Sequence, residues 1–269
     1  MPELTDKDIE RICSDQLFHL PYFRGMLRAV EQSFYEKEDL EEPIYDLGAG
    51  DGHFAWALFR NNEKVIGVDP WWEPLMEARK REIYPLLVQS EGAFAPIESG
   101  SCGSAISNSV LEHIPNVQPV LNEVGRVLKP GAKFYFAVPN RHFVTDLWGM
   151  EVLSKMGLRS LALEYSKLFN KIARHVNLDP PEVWLPRLKQ AGFEDVEYFH
   201  YFPKEAMRKL ERGHAAGLPN LLLKKTIGDW VLFKDKDNPF IPFNEVKKLV
   251  ANPYDEEGCC TFYIAKRAE

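Results

Sequence analysis

The sequence predicts an α/β protein: a doubly wound, mostly parallel seven-stranded sheet with helical insertions forming a cap. Three observations predict it. Short β-type runs alternate with longer helical patterns between residues 43 and 138, which implies right-handed βαβ units and a parallel sheet. A glycine-rich bend, Gly48-Ala49-Gly50-Asp51-Gly52, joins the first of those runs to a helix. The length, 269 residues and 31.0 kDa, suits one large domain or one domain with an added lobe.

The elements follow in order. Phe23, Leu27, Val30 and Phe34 fall near helical spacing, so Leu20 to Phe34 reads as a helix. Pro43 to Leu47 reads as a buried strand running into the glycine bend, and Phe54 to Phe59 as the helix after it. Val65 to Asp69 is a second strand, Trp72 to Ile83 a helix, and Leu86 to Val88 a third strand. Ser104 to Ser107 is a weak fourth strand. Val117 to Leu128 is a helix ended by Lys129-Pro130-Gly131, and Lys133 to Val138 is a fifth strand. After Pro139 the pattern loosens, and 141–181 looks helical without joining a strand. Glu182 to Ala191 is a helix closed by Gly192. Glu194 to Tyr201 is an alternating strand, 203–257 a long insertion, and Cys260 to Ala265 a final strand. The expected organisation is an N-terminal helical segment (1–40), a core (41–140), a helical insertion (141–181), a core helix and strand (182–201), a second insertion (202–258) and a last core strand (259–269). The two insertions are expected to form one cap over the substrate side.

Charge narrows the function classes. The chain has 33 Lys plus Arg against 40 Asp plus Glu, a net charge of −7. Phosphate contacts need clustered cations, so this balance argues against nucleic acid as partner. Residues 141–225 run the other way, with 14 basic against 10 acidic residues. The insertions also carry Leu147, Trp148, Met150, Leu153, Leu222, Leu223, Ile227, Leu232 and Phe233. They read as a folded helical cap with its own core, or as a lid for an apolar acceptor or a surface for peripheral contact with an anionic membrane. Lys224 and Lys225 would suit such an interface. Cys13, Cys102, Cys259 and Cys260 make no CxxC spacing and read as small apolar fillers in a reducing compartment. The N-terminal residues are charged and lack the apolar stretch of a signal peptide, and no run nears 18 apolar residues. A cytoplasmic protein is expected; no oligomeric state is read from the chain.

The bend is the chemical centre of the sequence. Glycines there let a ligand approach the backbone closely, and a helix start favours negative charge. Asp69 ends the second strand, 19 residues after Gly50, where a carboxylate accepts hydrogen bonds from a ribose diol. Two details favour S-adenosylmethionine over a nicotinamide dinucleotide. The pattern is GxGxG preceded by Asp46, and His53 stands where the dinucleotide fingerprint needs glycine. Asp46 suits the ammonium of a methionine moiety and would repel a pyrophosphate.

At these residues the chain resembles the class I S-adenosylmethionine-dependent methyltransferases, near the type 11 and ubiquinone-biosynthesis-like groups. The matching stretches are DLGAGDG at 46–52, IGVD at 66–69, EGAFAPI at 91–97, SNSVLEHI at 107–114 and VGRVLKPGAKFYFAVPN at 124–140, with PEVWLPRLKQAGFEDVEYFHY at 181–201 and the last strand. The resemblance implies the Rossmann-like methyltransferase fold, with S-adenosylmethionine as cofactor and S-adenosylhomocysteine as its product. It implies that Asp46, Gly48, Ala49 and Gly50 line the methionine end and that Asp69 holds the ribose. Pro70 or Trp71 would pack on the adenine. Glu91 would bind the adenine amine, with Gly92 and Ala93 supplying backbone and apolar contact. Ser107 and Asn108 would sit beneath the sulfonium. Cys102-Gly103 replaces the Phe-Asp that this family often carries before the fourth strand, which weakens that strand.

Transfer from a sulfonium is an in-line displacement of an already activated methyl, so proximity and orientation carry much of the acceleration. A base is needed only where the acceptor must lose a proton. His113 and His142 are the candidates for one, the first with local structure as its plainer role, the second at the mouth of the cleft. The remaining histidines show no ligand spacing, and no metal site is expected. No Asn-Pro-Pro-Tyr follows the fourth strand, which argues against amino methylation of adenine or glutamine. The leading expectation is a methyltransferase acting on an oxygen or carbon of a small-molecule or lipid-like acceptor. The alternatives are an RNA or protein methyltransferase, a non-catalytic S-adenosylmethionine-binding protein, or an NAD-binding protein.

Overall fold

A computed structural model describes residues 3–59, 64–216, 218–238 and 241–269. In chain order the elements are α1 (Asp6–Leu17), α2 (Tyr22–Tyr35), β1 (Ile44–Leu47), α3 (His53–Leu58), β2 (Val65–Asp69), α4 (Trp72–Arg79), β3 (Leu86–Gln89) and β4 (Cys102–Asn108). A 3-10 turn, Leu111–His113, leads to α5 (Gln118–Val127) and β5 (Leu128–Pro139). Then come α6 (His142–Thr145), α7 (Trp148–Lys155), α8 (Arg159–Ala173), α9 (Pro181–Gln190) and β6 (Phe193–Tyr201). The chain continues with α10 (Lys204–Ala216), α11 (Leu218–Ile227), α12 (Phe243–Ala251) and β7 (Cys260–Arg267).

The chain divides into two compact units. The sheet unit holds 39–141, 174–199 and 260–269. Its seven strands run in the order β3-β2-β1-β4-β5-β7-β6. β1 to β5 pair in parallel and β7 runs antiparallel to β5. This is the doubly wound, mostly parallel sheet the alternation predicts. Strand order reverses between β1 and β4, and in open α/β sheets ligands bind outside the carboxyl ends at that switch point. Valines and leucines of α5, with Phe134, Phe136, Trp184 and Tyr263, form the core on one sheet face. Phe136 stacks on Tyr263 with ring centroids 4.6 Å apart.

Two strands depart from expectation for physical reasons. β4 includes Cys102-Gly103, the place where the sequence looked weakest. A Cβ on Gly103 would lie 2.7 Å from the Glu41 carbonyl oxygen, so glycine there lets the lead into β1 press against β4. β5 begins at Leu128, not at Lys133, because Lys129-Pro130-Gly131 bulges out of the ladder instead of ending it. Cys102 pairs with Leu128 and Ser104 with Lys133, so two residues of β4 oppose a longer stretch of β5. α4 stops at Arg79, four residues short of the expected end.

The helical unit holds 1–38, 142–173 and 200–259, which takes in the N-terminal helices, the second insertion and most of the first; residues 174–181 of the first insertion lie in the sheet unit. Thr5 and Asp8 form a capping box at the start of α1. Gln16 donates to Gln32 across α1 and α2 at 2.8 Å, and Arg11 grips Glu36 through two hydrogen bonds. The buried Glu31 carboxylate accepts from the Tyr201 hydroxyl at 3.1 Å. Glu211 of α10, also buried, accepts from the Gly149 amide at 3.0 Å and from Trp148, capping an α7 that has no side-chain cap of its own. All four cysteines are buried and unbridged, and burial pushes the Cys13 thiol up to about 12. No described helix is long and apolar enough to cross a membrane.

Candidate functional site

The first carboxyl edge of the sheet is built by β1, β2 and β4. β1 carries Asp46 and releases the chain into the bend at Gly48, which has φ +81°. The amides of Gly48 and Ala49 both donate to the Val68 carbonyl of β2, at 2.8 and 3.1 Å. The Gly50 amide donates to Asp69 Oδ2 at 3.0 Å. The Gly52 amide donates to the Ala49 carbonyl and the His53 amide to Asp51 Oδ1. The bend therefore spends these amides on β2 and on itself. A pyrophosphate-binding loop needs them turned toward the ligand.

What the edge offers instead is carboxylate. Asp46 and Asp69 are each less than a tenth exposed. Asp69 also accepts from the Trp71 amide at 2.9 Å, so each of its oxygens holds one backbone hydrogen bond. A carboxylate has about four acceptor positions, which leaves two for a pair of hydroxyls. Asp46 accepts from the Tyr84 hydroxyl at 2.5 Å. Its pKa is raised to about 7, first by burial and then by the like charge of Asp69, with the Tyr84 hydrogen bond acting in the opposite direction. A desolvated acid held this way favours a cation beside it. This set of acceptors fits S-adenosylmethionine, which brings an ammonium and a ribose diol, and it does not fit a diphosphate.

The glycines have distinct reasons. A Cβ on Gly48 would lie 2.3 Å from Val110 Cγ2, so this glycine answers to the packing of the β4 exit loop. A Cβ on Gly50, at φ +53°, would meet nothing closer than 3.9 Å. Gly50 is thus the one that borders open space. Gly92 lies against Leu47 and Val120, where a Cβ would come within 2.9 Å, and beside it Ala93 packs on the core.

The other expected residues fall as follows. Pro70 is half-buried and Trp71 is 68% exposed, so the indole is available as a stacking face. Glu91 is exposed. Ser107 is buried and donates to the Leu47 carbonyl at 3.1 Å, joining the ends of β1 and β4, and Asn108 ends β4 half-buried. His113 is exposed in the 3-10 turn, with Nδ1 3.0 Å from the Arg174 carbonyl oxygen. His142 belongs to the helical unit, 3.7 Å from Asp146. The sheet unit thus gathers every expected residue except His142.

Tyr84 and Val110 were not anticipated. Val110 stands inside SNSVLEHI with no role assigned to it there, and Tyr84 stands in no motif: it reaches Asp46 because α4 ends early and a left-handed Glu82 (φ +57°) turns the chain back. Tyr84→Phe removes the hydrogen bond that opposes the rise of the Asp46 pKa. The pH midpoint of any Asp46-dependent binding is expected to move upward, and isothermal calorimetry between pH 6 and 9 reads the shift.

Comparison with known proteins agrees with this geometry. Residues 45–136 match the family model of the methyltransferase domain. A ubiquinone biosynthesis O-methyltransferase of Pectobacterium atrosepticum is 29% identical over 115 residues, 41% of this chain and 47% of that protein. The chain thus matches less than half the length of this curated relative. Among solved structures, a SAM-dependent methyltransferase of Thermotoga maritima superposes with a TM-score of 0.54 at 16% identity, over 90% of this chain and 88% of that one. A phosphoethanolamine N-methyltransferase of Haemonchus contortus, solved with S-adenosyl-L-methionine, gives 0.55 at 17% identity, over 98% and 58%. At these identities the two structures speak for the fold.

Proposed function

We propose, on the premise that residues 45–136 form an S-adenosylmethionine-dependent methyltransferase domain, that the chain moves a methyl group from this cofactor to an oxygen or carbon of a small-molecule or lipid-like acceptor. One observation carries the cofactor side: the bend turns its amides inward while two buried carboxylates, Asp46 and Asp69, line the same edge. Asp46 would pair with the ammonium, Asp69 with the ribose diol, and Trp71 would cover the adenine. The cofactor supplies an activated methyl; the chain's task is to hold donor and acceptor in line and exclude water. His113 and His142 remain the candidates for accepting a proton from an acidic acceptor, each in its own unit.

Two features support the acceptor class. The Pectobacterium relative carries the name of an enzyme acting in ubiquinone biosynthesis. In the helical unit, α8 exposes Leu161, Leu168 and Ile172 along one face, at spacings of seven and four residues. Such a stripe suits apolar or lipid material, including an anionic membrane surface near the basic insertions.

The test is incubation of the protein and a cell extract with methyl-labelled S-adenosylmethionine, followed by separation of lipid, small polar, RNA and protein fractions. Label in the lipid or small-molecule fraction is expected; label in RNA or protein would redirect the assignment. In parallel, S-adenosylhomocysteine is expected to raise the melting temperature and NADH to leave it unchanged. Stabilisation by NADH alone would overturn the cofactor. Asp69→Ala is expected to weaken S-adenosylhomocysteine binding by about 1–3 kcal/mol, the scale of a charge-assisted bond left unmade. Because Asp69 also ties the Gly50 and Trp71 amides, the free protein should lose stability as well. Calorimetry with unchanged affinity would remove Asp69 from the ribose.

A further inference from the structure

We propose that β3 pairs with β3 of a second copy of this chain, antiparallel and centred on Leu87, across a two-fold axis. The strand ends the sheet, and among the described residues no strand joins its outer edge. An uncovered edge invites another strand, and proteins commonly blunt it with charge, proline or a bulge. The opposite end strand, β6, is blunted: Glu194, Asp195 and Glu197 are exposed on it, and Asp195 holds a left-handed φ of +47°. β3 reads Leu86-Leu87-Val88-Gln89, without a charge, and Leu86 is 49% exposed. Just past the strand, the Phe94 amide donates to the Glu91 carbonyl at 3.0 Å and the Ser90 hydroxyl to the Phe94 carbonyl at 2.7 Å. This turn fixes a phenylalanine, 77% exposed, at the end of the edge.

The hydrogen bonds on the inner side fix what the outer side offers. The Ser90 amide donates to the Asp69 carbonyl of β2 at 3.2 Å. Main-chain groups of successive strand residues turn alternately to the two edges. Leu86, Val88 and Ser90 therefore face β2, while Leu87 and Gln89 face outward. The Gly48 amide bond to the Val68 carbonyl agrees, since Val68 turns to β1 and leaves Gly67 and Asp69 to β3. The outward position before Leu87 is Pro85, which has no N–H to leave unmet.

The edge is complementary to itself, which makes a second copy its occupant. A two-fold axis perpendicular to the sheet pairs the strand with its own reverse and keeps each face on its own side. Centred on Leu87, it sets Leu87 opposite Leu87 of the partner subunit as a hydrogen-bonded pair. On the other face it sets Leu86 opposite Val88 of the partner subunit, so apolar meets apolar along the strand. The two Leu87 residues exchange amide-to-carbonyl bonds, and each Gln89 amide reaches the Pro85 carbonyl of the partner subunit. Centred on Val88 instead, the same pairing would set Leu87 against Gln89 and Leu86 against Ser90, apolar against polar. The flanks agree in sign. Residues 77–82 before the strand carry three basic and two acidic side chains, and 90–98 after it carry two acidic and no basic ones. Antiparallel pairing brings these unlike flanks to the same end. No residue of β3 is among those assigned to S-adenosylmethionine, so the dimer stands apart from the methyl-donor reading.

The test is sedimentation velocity on the untagged chain from about 1 to about 100 μM, the range in which a small strand-edge interface associates. A monomer–dimer equilibrium is expected. Leu86→Lys is expected to weaken dimerisation at least about tenfold, because a lysine on the edge is the device that guards natural sheets. Should circular dichroism show that variant unfolded, the unmodified chain decides by hydrogen exchange read with mass spectrometry. Peptides spanning 86–89 are expected to exchange more slowly at the top of the concentration range than at the bottom, while those spanning β6 keep their rate. Monomer at every concentration, an undiminished dimer in folded Leu86→Lys, or no concentration-dependent protection at β3 would overturn the pairing. The first of these outcomes would leave the edge to a different protein chain.

Discussion

Gly48→Val is expected to damage the sheet unit itself, before any ligand is involved. The new Cβ would sit 2.3 Å from Val110 Cγ2 and 2.7 Å from Cγ1, and the backbone is at φ +81°. A side chain in the left-handed region costs about 1–2 kcal/mol, more for a β-branched residue. Overpacking a filled site adds about 1–3. A total of about 2–5 kcal/mol is a large part of a typical domain stability of about 5–15. The melting temperature should fall by roughly 10 °C, and loss of cofactor binding in this variant would say nothing about contact. Gly50→Ala is the informative partner. Its Cβ meets no protein atom closer than 3.9 Å, so only the backbone conformation, at about 1 kcal/mol, opposes it. Binding of S-adenosylhomocysteine is nevertheless expected to fall at least tenfold, because that methyl occupies the space the bend leaves open. If Gly50→Ala binds normally, the cofactor does not use this bend. A cycle with Val110→Ala checks the first half: Gly48→Ala should cost less where the two Cγ methyls are gone.

Much of this was legible because the chemistry is local in sequence. A strand, a bend and a helix lie within residues 44–58, and Asp69 follows one βα step later, so alternation and spacing alone place both acids on one sheet edge. The roles of the glycines were not legible. Gly48 and Gly50 look equivalent in a string, yet one is dictated by Val110 and the other by open space. The amides posed a similar difficulty. A glycine bend before a helix suggests donors turned outward, while here the Val68 carbonyl and Asp69 take them. Long-range partners left no trace either: Tyr84 comes to Asp46 from 38 positions away. Lys129-Pro130-Gly131 reads as a stop by local propensity, and ladder pairing on both sides of it carries the strand through.

Asp46→Asn is expected to raise the stability of the free protein above neutrality while weakening its hold on the cofactor. Burial and Asp69 lift the acid from 3.8 to about 7. Because the folded state binds this proton more tightly than the unfolded chain, the contribution is favourable below about 4. It is lost as pH rises from 4 to 7 and stays lost above. At about 1.4 kcal/mol per pH unit the loss reaches about 4 kcal/mol, an upper figure for the strain of ionising Asp46 with no cation beside it. Asparagine keeps the shape and an acceptor for Tyr84 without the charge. In urea titrations the variant should match the parent near pH 4 and exceed it at pH 8. Cofactor binding has the opposite sign. An ammonium prefers the ionised carboxylate, so affinity for S-adenosylhomocysteine should climb from pH 5 toward pH 7 and level off. Near pH 6, binding should release a proton, visible as a dependence of calorimetric enthalpy on buffer. Asp46→Asn should abolish that dependence and cost about 1.5–3 kcal/mol at pH 8, the value of a hydrogen bond to a charged partner. An acid kept at a stability cost in the free protein, and relieved by a cationic ligand, belongs to binding and not to folding. A variant less stable than the parent at pH 8, or one that binds with undiminished proton release, would return Asp46 to a structural role.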